Sequence, residues 1–179
     1  MKREINPFDY AGHICKALPK GILLTTKRND EVNTMTIGWG TIGIDWSRPV
    51  FIAFVRESRY TKQLLEENGE FTVNVPLDQV DKKVLGICGT RSGRDMDKIK
   101  DLGLTLEEPL AISVPGIKEL PLTLECKVLY KQKQDLSAIP DDILTRYYPV
   151  EDDHLHLGSD RDYHIAYYAQ ILKAYIIED

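Results

Sequence analysis

The sequence predicts a mainly β protein: an antiparallel sheet curled into a barrel, with peripheral helices. Three observations carry that reading. Apolar residues alternate in the strand period of two, as in Met35, Ile37 and Trp39 or in Leu122, Leu124, Cys126, Val128 and Tyr130. Several neighbouring segments are joined by short links such as "RNDE". The chain also lacks the regular strand–helix alternation that a parallel sheet needs.

Taken in order, a short helix is expected from Tyr10 to Ala17 and a strand from Gly21 to Thr26. In "NTMTIGWGTIGID", Met35, Ile37 and Trp39 share one face and Thr34, Thr36, Gly38 and Gly40 the other. Beyond Gly40 the apolar phase switches to Ile42, Ile44 and Trp46, as at a bulge or barrel corner. "PVFIAFV" is apolar on both faces and reads as a central, doubly covered strand. A helix follows within "RESRYTKQLLEENG", with Leu64 and Leu65 on its apolar face and Asn68-Gly69 as its stop. "FTVNVP" is a strand with Phe71, Val73 and Val75 inward. "LDQVDKKVLGIC" and "GRDMDKIKDLG" read as two helices, and "LTLEEPLAI" begins with a short strand. "LTLECKVLYK" alternates cleanly, "DDILTRYYP" forms a helical turn, and "YHIAYYAQILKAYII" closes the chain as a long strand.

A length of 179 residues suits one domain, 1–179, with a substantial core. The net charge of −5 argues against a nucleic-acid partner. Three widely spaced cysteines, Cys15, Cys88 and Cys126, argue against a disulfide framework or a cysteine-rich metal site. No stretch approaches about 18 apolar residues, and the N-terminus lacks the apolar run of a signal peptide, so a cytoplasmic protein with no membrane partner is expected. Two basic segments, 53–62 and 86–100, stand out in this acidic chain and suggest a small anionic ligand.

The helix after Arg56 is charged against its own dipole, with Arg59 and Lys62 near its start and Glu66 and Glu67 near its end. Ser58 is a suitable N-cap and Thr61 lies in the first turn. These hydroxyls, free backbone N–H groups, Arg59 and Lys62 make either a phosphate site or a plain capped helix with solvated cations. The small face of Thr34, Thr36, Gly38 and Gly40 offers either a place for a flat ring or relief from crowding at a bend. His154 and His156, beside Asp152 and Asp153, form either part of a metal site or a solvated acidic loop. Trp39, Trp46, Tyr147, Tyr148, Tyr167 and Tyr168 read as packing residues, and Cys88 as a buried thiol. Neither a glycine-rich dinucleotide loop nor a hydrolase nucleophile–base spacing is visible.

The ordered set "NTMTIGWG", "RPVFIAFVRESRYTKQLLEENGEFTVNVP", "SGRDMDK" and "LECKV" resembles the flavin reductase-like FMN-binding split-barrel family, its flavoredoxin-like branch in particular. The resemblance runs from about Gly21 to Lys131 and returns at the last strand. It implies a Greek-key split barrel, FMN as cofactor, and a homodimer with FMN near the interface. It also implies an oxidoreductase, either an NAD(P)H-dependent flavin reductase or a related electron-transfer protein. A carrier reduced by a redox protein, or a flavin-binding module without turnover, are the alternatives. By the same resemblance, Thr34, Met35, Thr36, Ile37 and Gly38 line the flavin ring, largely through backbone. Ser58, Arg59 and Thr61 match the phosphate motif. Ser92, Gly93, Arg94 and Lys98 match an arm that reaches the flavin, in some relatives from the partner subunit. His164 matches a histidine near the nicotinamide, a substrate-binding position. No catalytic side chain and no metal are implied. The chain departs from the family pattern at Gly38, at Ala169-Gln170, and in an apparent insertion from Asp153 to Asp162.

Overall fold

The computed structural model describes residues 1–149 and 162–178. The elements in order are β1 (Lys2–Glu4), α1 (Ala11–Ala17), β2 (Ile22–Arg28), β3 (Glu31–Ile37), β4 (Gly40–Asp45), β5 (Arg48–Arg56) and α2 (Tyr60–Asn68). There follow β6 (Glu70–Val75), α3 (Lys82–Thr90), α4 (Lys98–Asp101), β7 (Leu106–Glu107), β8 (Gly116–Ile117), β9 (Leu122–Lys133), α5 (Asp141–Tyr147) and β10 (His164–Ile177). The main sheet is antiparallel and runs β3-β2-β6-β9-β10-β5-β4, with β1 beside the end of β10.

The two outer strands of that order, β3 and β4, are consecutive in the chain and separated only by Gly38 and Trp39. Three virtual bonds reach about 11 Å at most. The sheet must therefore curl until its ends nearly meet, while β3 and β4 stay unpaired. The result is a split barrel, and the phase switch at Gly40 is the step from one edge to the other.

The barrel interior is apolar, built from Leu24, Met35, Ile37, Phe51, Val55, Phe71, Val73, Leu124 and Tyr167, and α1 plugs one end with Ile14. Outside β2, β6 and β9 lies a polar layer that is nonetheless buried. There Asn74 Nδ2 donates to Thr123 at 3.1 Å, Asn74 Oδ1 lies 3.2 Å from the Thr25 and Thr72 hydroxyls, and Thr72 donates to the Pro115 carbonyl at 2.8 Å. Such a layer is tolerated because its members have partners. The buried Glu125 carboxylate holds the covering loop by accepting the Leu110 and Ala111 N–H groups at 2.6 and 2.7 Å.

Four expectations are corrected. Tyr130 faces outward, 46% exposed, because the β9–β10 register slips where Tyr130 pairs with Tyr168 but Val128 with Ala169. One extra residue reverses every later face. Within one chain strand β5 is fully covered on one side only: among the described residues Ile52 and Phe54 on its outer face are half-buried. The segment "GRDMDKIKDLG" is helical only from Lys98 to Asp101, where Asp97 caps the Lys100 N–H at 3.1 Å. The helix α2 begins later than expected: Arg59, not Ser58, is its N-cap.

The reversed charges of α2 are answered by tertiary partners rather than by its dipole. Glu66 accepts from Tyr167 Oη at 2.7 Å and from Lys131 at 2.6 Å. Glu67 pairs with Arg28 at 3.2 Å, and Lys62 with Glu57 at 3.0 Å. Gly69 ends the helix in the left-handed region, φ 74°, which glycine adopts freely. His154, His156, Asp152 and Asp153 lie outside the described residues.

Candidate functional site

The corner between β3, α2 and segment 92–98 gathers most of the residues singled out in the sequence. Among the described residues one side of the β3 backbone has no strand partner. The Thr34 carbonyl points to that side and accepts from Lys98 Nζ at 2.9 Å. Backbone groups alternate along a strand, so the N–H and C=O of Thr36 face the same open edge. The side chains are otherwise engaged. Met35 and Ile37 point into the barrel core. Thr34 accepts from the Thr25 hydroxyl at 3.0 Å, and the Thr36 hydroxyl donates to the Leu85 carbonyl at 2.6 Å under α3. Strand β3 therefore offers a backbone edge rather than a flat side-chain face. Of residues 34–38, Gly38 lines an open cavity of about 390 Å³, together with Trp39, Phe54, Cys15 and Gln134.

Ser58 does not cap α2. Its hydroxyl donates to Asp162 Oδ2 at 2.7 Å and its N–H to Oδ1 at 3.0 Å. Arg59 is extended, φ −68° and ψ 134°, and makes no side-chain cap bond. Among the described residues no side chain caps the first N–H groups of α2, and these groups point toward the start of the helix as all such groups do. Thr61 is buried and accepts from Asn33 Nδ2 at 2.8 Å. Lys62, paired with Glu57, is not part of the corner.

Segment 92–98 packs on this corner through a glycine. A Cβ at Gly93 would collide with Asn33 Oδ1 and stand 2.9 Å from Tyr60 Cδ1, so a larger residue there would push these side chains aside. Ser92 Oγ accepts the Arg94 N–H at 3.1 Å, and the Arg94 guanidinium lies 5.0 Å from the Tyr60 ring centre. Lys98 is buried and donates also to the Cys88 carbonyl at 3.2 Å. Burial pushes its pKa below the usual lysine range; the Cys88 thiol opposes this and Arg59 adds to it. Among the described residues neither Arg59 nor Arg94 forms an ion pair. Two unpaired guanidinium groups beside an uncapped helix start suit an oxyanion.

His164 opens β10 and pairs with Arg56 at the end of β5. It is 7% exposed and stacks on Trp39, with ring centres 4.6 Å apart. Its Nδ1 is 2.7 Å from Tyr148 Oη, which donates to Gln134 Oε1 at 2.7 Å. The tautomer with the proton on Nδ1 satisfies both of these contacts. Burial, aided by Arg56 and Arg59 against Asp162, lowers its pKa to about 4, so the ring is neutral at pH 7. The structure thus brings Thr34, Arg59, Thr61, Gly93, Arg94 and Lys98 to one corner. It sets Gly38 and His164 around Trp39, and draws Ser58 toward Asp162.

The family described as flavin reductase like domain matches residues 16–166. This chain belongs to the flavin reductase-like family. An uncharacterized protein of Archaeoglobus fulgidus is 38% identical over 100 residues, which span 56% of this chain and 55% of that relative. The chain therefore aligns with little more than half of that relative's length. Flavoredoxin of Desulfovibrio vulgaris (Miyazaki F) superposes with a TM-score of 0.62 at 19% identity, over 88% of this chain and 69% of its own. An FMN-binding domain of a flavin reductase-like enzyme from Shewanella baltica gives 0.63 at 16% identity, over 98% and 77%. These likenesses establish the fold of the flavin reductase-like chain, a split barrel.

Two members of the corner escape a reading of the sequence. Tyr60 carries no signal before the arm is seen to fold onto it. Asn33 has one: in the alternation Asn33, Met35, Ile37 it is the polar residue on the inward face.

Proposed function

We propose that this flavin reductase-like chain binds FMN and works in flavin reduction or electron transfer. The carrying observation is the convergence of Arg59, Arg94 and the uncapped start of α2 beside the open edge of β3. In this reading Arg59 and the first N–H groups of α2 hold the phosphate, with Ser58 joining once released from Asp162. Thr61 acts from beneath by fixing Asn33. The backbone of Thr34 to Gly38 borders the ring, and Ser92, Gly93, Arg94 and Lys98 close over it, with Lys98 fastening the arm to β3. His164 and Trp39 flank the cavity at Gly38 and border the nicotinamide. When bound, the flavin supplies the redox chemistry, and the protein supplies orientation and electrostatics.

The reading extends to one domain over residues 1–179 and to a cytoplasmic homodimer. The dimer is supported by the outer face of β4, β5, β10 and β9, where Trp46 lies 6.4 Å from Tyr130 and 6.2 Å from Tyr168 beside Ile52 and Phe54. Among the described residues no helix is long and apolar enough to cross a membrane. The donor is NADH, NADPH or a redox protein. Anaerobic mixing of the FMN-loaded protein with each nicotinamide tests this: rapid bleaching is expected for a reductase. Reduction only by a protein donor assigns the carrier role, and reduction by neither refutes an electron-transfer function.

A further inference from the structure

A cavity of about 730 Å³ lies away from the α2 corner. Its walls come from α1, from the segment after β6 and from α3. Ala17, Pro76, Leu77, Val80 and Leu85 make them mostly apolar. His13 fastens the segment after β6 to α1 through a 2.7 Å contact between Nε2 and the Pro76 carbonyl. The volume falls within the range of sites for small organic molecules, about 300–1,000 Å³.

Its rim is cationic. Lys16, Lys20 and Lys82 line the cavity, with Asp78 as the one carboxylate. None of these lysines forms an ion pair among the described residues. Of the other lysines, Lys2, Lys62, Lys131 and Lys173 each sit within 4.0 Å of a glutamate, while Lys27, Lys83, Lys100 and Lys127, like the rim lysines, form no ion pair among the described residues. In a chain of net charge −5, three unpaired ammonium groups around one apolar hollow favour an anion over a neutral or cationic guest. Three compact point charges on flexible stems adapt to a carboxylate or sulfonate without demanding a fixed fork geometry. The apolar walls require that the anion carry a hydrophobic body.

We propose that this cavity is a second binding site, for a small organic anion: a carboxylate or sulfonate on an aromatic or branched apolar body. It is separate from the flavin corner and does not rest on that assignment. The Thr36 side chain lies between the two, bonded to Leu85 on the cavity wall.

The test is calorimetric titration of the intact protein, in the presence of excess FMN, with 2-naphthoate and with its neutral analogue 2-naphthamide. One naphthoate per chain is expected, bound at least tenfold more tightly than the amide. The variant K16Q/K20Q/K82Q should lose that preference and bind both alike, while keeping the parent's thermal midpoint because all three side chains are exposed. Naphthoate binding that is absent, no tighter than the amide, or unchanged in the triple variant would overturn the site. So would a naphthoate affinity that falls as FMN is raised, which would move the ligand to the flavin corner.

Discussion

Lys98 places a buried ammonium 2.9 Å from the carbonyl of Thr34, closing the arm onto the open edge of β3. The same ammonium satisfies the Cys88 carbonyl at the end of α3. One side chain thus ties three segments together. Lys98→Met keeps the stem but strands two acceptors, which costs about 1–3 kcal/mol. Urea unfolding should show that loss together with a weaker hold on FMN. A variant as stable as the parent would mean that water replaces the ammonium.

Gly93→Ala tests the approach of the arm to β3. Its methyl would collide with Asn33 Oδ1. Overpacking of this kind costs about 1–3 kcal/mol. Asn33→Ala vacates the same space, so the double variant should be less destabilised than the sum of the singles. A coupling near zero in a double-mutant cycle would show that the arm does not rest on Asn33.

The two glutamates at the end of α2 should behave differently. Glu66→Ala leaves the Tyr167 hydroxyl, deep in the barrel wall, without its acceptor and costs about 1–3 kcal/mol. Glu67→Ala removes an exposed pair with Arg28 and should change stability by less than about 1 kcal/mol. Equal effects would contradict the tertiary account of the reversed charges.

His164 links stability to acidity. Its pKa falls from 6.5 to about 4 on folding, so between those values the unfolded chain binds more protons. Stability must then rise with pH across that window, by up to roughly 3 kcal/mol at about 1.4 kcal/mol per unit. His164→Gln should flatten the slope of thermal midpoint against pH between 4 and 6.5. An unchanged slope would place its origin elsewhere.

Asp162 holds Ser58 with both carboxylate oxygens, where the account needs the hydroxyl for a phosphate. Removing that negative charge with Asp162→Asn should tighten FMN binding severalfold in a fluorescence titration. Weaker binding would show that the carboxylate organises the corner instead of competing for it.

Much of the fold is legible because alternation and short links together require an antiparallel sheet. The failures have local physical causes. The slip that turns Tyr130 outward sits at one extra residue in β9, and no residue type announces it. The β4–β5 turn uses Trp46 and Ser47 at φ 48° and 56°, a conformation for which Asn-Gly is the usual signal. At the site, the cations of Arg59, Arg94 and Lys98 are visible in the sequence, but their partners are not. In the sequence Ser58 looks like a cap because caps are local. Its hydroxyl is taken instead by a carboxylate 104 positions away.

In the proposed function the α2 corner recognises the phosphate of FMN. Riboflavin has the same ring and lacks that phosphate, so parallel titrations of the flavin-free protein compare them directly. FMN should bind one per chain and at least tenfold more tightly than riboflavin, and Arg59→Gln should erase the difference. Equal affinity for the two flavins, or a difference that survives Arg59→Gln, would contradict it.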